Sequence, residues 1–138
     1  MKSSLLYCLL FFICISCGKG EASNDHDGPA PIEADSSYPV VDISAPTADQ
    51  VFSNGSVISV TGTVSDNSLY QGSITIRNDV TGGVVKDQYY EIHYIPSYNF
   101  SMTCPISVTA STDFTVSVKF EDHGHNVTAK TVKIKVNP

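Results

Sequence analysis

In Phe114-Thr115-Val116-Ser117-Val118-Lys119-Phe120-Glu121, apolar and polar side chains alternate without a break. Successive side chains of a strand point to opposite faces, so this stretch has one dry face and one wet face. No 3.6-residue repeat is sustained anywhere after residue 38. Thr131-Val132-Lys133-Ile134-Lys135-Val136 repeats the pattern with lysines outward, and Ile58, Val60, Gly62 and Val64 share one face of an earlier strand. Val41 and Ile43 begin a first strand stopped at Ala45-Pro46, while Ile74 and Ile76 line another. Gly82-Gly83 reads as a turn into a strand over Val84–Ile95, which Pro96 interrupts. Tyr98, Phe100, Met102 and Cys104 then alternate with polar residues up to Pro105. About seven strands between Pro39 and Pro138, joined by short turns, predict a two-sheet antiparallel β-sandwich.

A chain of this size can hold such a sandwich together by its core alone. Cys104 is the only cysteine after residue 17, so an internal disulfide is not available to the domain, and its apolar neighbours Phe100 and Met102 mark it as a core thiol. The absence of a Trp and of a cysteine pair argues against an antibody-type domain. Residues 39–138 carry nine acidic and six basic side chains, with no basic patch interleaved with aromatics. Nucleic acid is therefore not an expected partner.

The first residues follow other rules. Leu5–Ile15 is an apolar run of 11 residues, about 16 Å as a helix and too short to span a bilayer. Lys2 precedes it, and Ser16-Cys17 closes it before the polar Gly18-Lys19-Gly20-Glu21. The segment resembles a bacterial lipoprotein signal ending in a lipobox, although Cys14 stands where such boxes usually carry Leu. The resemblance implies removal of residues 1–16, acylation (palmitate-type chains) at Cys17, and a membrane held through the lipid anchor. Residues 18–38, with five acids against Lys19 and few apolar side chains, are expected to form a disordered acidic tether. The resemblance also implies placement in the outer membrane, since Gly18 rather than Asp follows the cysteine, with display at the cell surface as the further expectation.

Thr63-Val64-Ser65-Asp66 and Asp122-His123-Gly124-His125-Asn126 resemble stretches of bacterial immunoglobulin-like modules, which carry "TVSD" after an early strand and an Asp-x-x-Gly-Asn turn between the last two. Here the glycine is one place early and His125 occupies its usual position. With the signal, the chain resembles small Bacteroides-type lipoproteins bearing a single immunoglobulin-like domain; Glu91-Ile92-His93-Tyr94-Ile95-Pro96 is similar to a His-bearing strand found there.

Two groups of residues carry candidate chemistry. In a sandwich of this topology, Asp66 and Asn67 lie at the same end as Asp122, His123 and His125. Their oxygens suit Ca²⁺, and the two imidazoles suit Zn²⁺ or Cu²⁺; the same residue types also make ordinary turns. The second group is tyrosine-rich. Tyr90 and Tyr94 are expected to share the core face of one strand, leaving Tyr89, Glu91 and His93 outward as ligand contacts for an extracellular glycan or an envelope protein. No Gly-x-Ser-x-Gly, His-Glu-x-x-His or phosphate-binding glycine loop occurs in the sequence. The expected protein is a non-enzymatic, envelope-anchored binding or assembly module, with a metal-dependent glycan-binding or glycan-processing accessory as the alternative.

Overall fold

The computed structural model describes residues 35–138, so Cys17, the signal segment and most of the tether lie outside the described residues. Eight strands follow in order: β1 (Val40–Ala45), β2 (Gln50–Ser53), β3 (Val57–Ser65), β4 (Leu69–Asn78), β5 (Val84–Glu91), β6 (Ser97–Pro105), β7 (Thr112–Asp122) and β8 (Val127–Asn137). They form a three-stranded sheet, β1-β3-β6, and a five-stranded sheet, β2-β8-β7-β4-β5. All neighbours are antiparallel except β2, which runs parallel to β8. The chain changes sheet at every connection except those from β4 to β5 and from β7 to β8. This is the immunoglobulin-like sandwich with its fifth strand beside the fourth.

The expectation of about seven strands omitted β2. Its four residues include only one half-buried apolar side chain, Phe52, so they show no alternation. What makes them a strand is parallel pairing from Gln50↔Ile134 to Ser53↔Asn137 across more than 80 residues of chain, which local pattern cannot report.

The core lies between the sheets. Ile58, Val60, Val64, Phe100 and Met102 from one side meet Ile74, Ile76, Val116, Val118 and Phe120 from the other. Phe100 and Phe120 meet across the sheets with ring centroids 5.4 Å apart. Each ring covers a glycine on the adjacent strand: Gly62 pairs with Phe100 and Gly72 with Phe120. A Cβ at Gly62 would stand 2.0 Å from the Asp42 carbonyl oxygen and 2.4 Å from Phe100 Cζ; at Gly72 it would stand 2.2 Å from Phe120 Cδ1. These two strand glycines therefore exist to seat aromatic rings, which in turn cover the exposed backbone.

Edge strands β5 and β6 lie on one side of the sandwich. Tyr90 Oη donates to the Ser101 carbonyl of β6 at 2.8 Å. Gln88 Nε2 reaches the same oxygen at 3.4 Å. Side chains of one sheet thus occupy an edge acceptor of the other, which discourages pairing by a further strand.

Candidate functional site

The loops 66–68, 92–96 and 123–126, together with residues 35–39 ahead of β1, gather at one end of the sandwich. Asp66 N donates to the Pro96 carbonyl and His123 N to the Ser68 carbonyl, at 3.0 and 2.9 Å. These bonds tie the three loops to one another.

Within the β7–β8 turn, Asp122 is fully buried. Its two carboxylate oxygens accept from Asn126 N (2.8 Å) and Asn126 Nδ2 (2.9 Å), and its backbone N–H donates to the Asn126 carbonyl at 3.1 Å. The turn closes with His125 at φ 65°, so the histidine takes the left-handed conformation that glycine takes in the motif it resembles. Gly124 does a different job. A Cβ there would stand 2.9 Å from Asp35 Cβ and 3.2 Å from Asp122 Oδ1, so its absence leaves room for the incoming segment.

Asp35 occupies that room. Its carbonyl accepts from Asn126 Nδ2 at 2.9 Å, and its carboxylate accepts from Ser37 N and Ser37 Oγ at 2.9 and 2.6 Å. Those bonds from Ser37 hold the Asp35 carboxyl below its ordinary pKa. Asp66 closes an Asx turn by accepting from Ser68 N at 2.8 Å. One carboxylate oxygen from each of Asp35, Asp66 and Asp122 lies within 4.8 Å of the others. Among the described residues, none of the three is ion-paired with Lys, Arg or His.

Asp66 and Asp122 therefore come together as the sequence suggested, and Asp35, from the segment read as tether, joins them. Asn67 is exposed beside a shallow depression with Asp66 and Pro96. The two histidines face other neighbours than these carboxylates. His125 Nδ1 meets Glu121 Oε1 at 3.0 Å. His123 packs against Tyr94, with rings parallel and centroids 4.0 Å apart, and against Tyr70 and His93 at 4.8 and 5.5 Å. Residues two apart in this turn face different neighbours because His125 reverses the backbone between them and β8. His123 Nε2 is buried without a hydrogen-bond partner among the described residues.

The aromatic group also departs from expectation. The fifth strand ends at Glu91 rather than Ile95, and Tyr94 takes φ 55° while its N–H bonds the Leu69 carbonyl. Tyr90 faces the core, but Tyr94 turns out of the strand and is 74% exposed on His123. Tyr70 reaches this cluster through a bulge. Leu69 pairs with Asp122 and Gln71 with Glu121, so Tyr70 is the extra residue of β4.

Tyr89, Glu91 and His93 are exposed at the same end of the five-stranded sheet. Glu91 Oε1 contacts His93 Nε2 at 3.1 Å. Tyr89 Oη donates to Gln71 Oε1 at 2.5 Å, and Gln71 Nε2 donates to Glu121 Oε2 at 2.7 Å. A continuous chain of bonds thus runs Tyr89–Gln71–Glu121–His125. The bond from His125, then that from Gln71, holds the Glu121 carboxyl below the usual glutamate value. Partial desolvation, then the Glu91 carboxylate, raises the Tyr89 phenol, so it remains a donor at neutral pH. Gln71 and Tyr70 carry no motif in the sequence; only the bulge and the cross-strand register bring them here.

Neither a family model nor a curated protein matches this sequence. Solved structures do. An engineered protein is matched with a TM-score of 0.48 and 14% identity over 72% of this chain and 20% of its own. Fibronectin(III)-like modules of Clostridium thermocellum CbhA are matched with a TM-score of 0.42 and 17% identity over 72% of this chain and 46% of theirs. A CARDB domain from Pyrococcus furiosus, solved in complex with di-metal ions, is matched with a TM-score of 0.45 and 10% identity over 71% of this chain and 86% of its own. The chain spans about a fifth and under a half of the first two. It is the strand order of this chain itself that makes it an immunoglobulin-like domain.

Proposed function

We propose that this protein is an envelope-anchored binding or assembly module, held to the outer membrane by acyl chains on Cys17. One observation carries the binding part of the reading. Tyr70, Tyr89, Tyr94, His93 and His123 collect at one end of one sheet, with Tyr89 59% and Tyr94 74% exposed. Exposed aromatics beside polar groups are the usual anchors of recognition surfaces. Binding rather than catalysis is favoured by Glu121, the carboxylate beside Tyr89. Both its oxygens already accept bonds, and its lowered pKa makes it a poor proton donor. The partner is an envelope protein or an extracellular glycan.

The anchor is tested by Cys17→Ala, which should move the protein out of the membrane fraction without changing its melting temperature. Retention in that fraction refutes the anchoring. The binding part is tested by crosslinking from intact cells, where a reproducible partner lost on Tyr94→Ala is expected; a partner set indifferent to both Tyr89→Ala and Tyr94→Ala refutes it.

A second reading rests on the three carboxylates. A fully buried Asp122 with Asp35 and Asp66 at its side offers hard oxygen ligands of the kind Ca²⁺ prefers. A cation there would fasten residue 35 to the loop end and so stiffen the junction between tether and domain. Melting of the wild type and of Asp66→Asn in EDTA and in Ca²⁺ decides it.

A further inference from the structure

The cleft beside Tyr89 specifies what class of ligand this face takes, given that the face binds as proposed above. It is about 100 Å³, floored by Gly72 and lined by Gln71, Ser73, Tyr89, Lys119 and Glu121. Its aromatic wall is exposed yet fixed, because the Tyr89 hydroxyl is held through Gln71 to Glu121. A ring already ordered in the free protein loses little freedom on binding.

Charge and polarity narrow the ligand. Lys119 and Glu121 contribute one charge of each sign, so neither a phosphate nor an ammonium group is favoured. An apolar peptide side chain would strip water from both charges without compensating them. Ser73 both donates and accepts, Gln71 is uncharged, Lys119 only donates and Glu121 only accepts. The complementary molecule has an apolar C–H face to lie on the tyrosine and a rim of hydroxyls that donate and accept. We infer that this cleft is a saccharide subsite, in which a neutral hexopyranose unit stacks on Tyr89 and directs its hydroxyls to Ser73, Lys119 and Glu121.

The size agrees with one sugar ring of a longer chain. Pockets that engulf a small molecule start at about 300 Å³, whereas this cleft is open and a third of that. A single site is accordingly weak, and many copies displayed on one membrane would bind a polymer through avidity.

The test uses the full-length protein in detergent, titrated by calorimetry with cellotetraose, maltotetraose, mannotetraose and a galactan tetraose. At least one should bind, with affinity reduced at least about tenfold by Tyr89→Ala and less by Tyr89→Phe, which keeps the ring but frees its orientation. Lys130→Ala, on β8, should leave binding unchanged, and each variant's melting temperature verifies folding. Absence of binding to all four, or binding indifferent to Tyr89→Ala in a folded variant, overturns the inference. If binding is absent while a cellular crosslink to a protein still depends on Tyr89, the saccharide is wrong and the binding face stands. Absence of saccharide binding together with crosslinks indifferent to both Tyr89→Ala and Tyr94→Ala overturns the two together.

Discussion

Replacing Asp66 by Asn should raise stability in the absence of a divalent cation and remove most of the stabilisation that such a cation gives. The amide oxygen can still accept from Ser68 N, now 2.8 Å from Asp66 Oδ1, so the turn survives. What disappears is one negative charge within 4.8 Å of the buried Asp122 carboxylate. Two such charges repel by about 1 kcal/mol at the dielectric of water and by about 3.5 kcal/mol at an effective value of 20. Asp66 is half-buried, so relief of about 1–2 kcal/mol is expected in EDTA at moderate salt. For a domain of this length that raises the melting temperature by about 4–10 °C. Calcium acts the other way. With an affinity of about 0.1–1 mM, typical of extracellular modules, roughly 10 mM Ca²⁺ would stabilise the wild type by about 1.4–2.7 kcal/mol. That gain should largely vanish in Asp66→Asn. Differential scanning fluorimetry of both proteins at pH 7, in EDTA and in Ca²⁺, reads all four values. If the wild type melts identically in both buffers and Asp66→Asn melts no higher in EDTA, the carboxylates neither repel nor bind, and the cation reading falls.

Other perturbations address the fold and its pH response. Gly62→Ala drives a Cβ against the Asp42 carbonyl and the Phe100 ring, and overpacking against backbone should cost about 3 kcal/mol in urea denaturation. Gly55→Ala, with open space but φ 79°, should cost only about 1 kcal/mol; equal losses would refute the steric account. His125→Gly should stabilise by about 0.5–1 kcal/mol, because relief of the left-handed backbone outweighs an exposed contact with Glu121; destabilisation would show that the contact dominates. Since the Glu121 pKa is lowered on folding, its contribution is complete above the ordinary glutamate value of 4.5 and is lost as pH falls through the lower folded value. Glu121→Gln should therefore flatten part of the stability loss between about pH 5 and pH 3, and an unchanged acid limb would contradict the bond from His125.

The alternation in β7 and β8, and in β3 and β6, was sufficient to place the inner face of both sheets, because a half-buried strand must repeat every two residues. Asp66 and Asp122 were legible as one end of the sandwich for a related reason, since strand order fixes which loops are neighbours. Nothing local marked β2, whose pairing is parallel and distant, or Asp35, whose neighbours Ser36 and Ser37 read as solvated chain. The bulge at Tyr70 and the positive φ of Tyr94 and His125 redirected side chains that a uniform period would have placed elsewhere. Burial is periodic along a strand, so the sandwich and its dry face could be read from the order of residues alone. Which aromatics meet, which carboxylates converge and why Gly62 and Gly72 must be glycine is settled in three dimensions. Those outcomes depend on cross-strand register and backbone reversals, and a one-residue change in either sends a side chain to the other face.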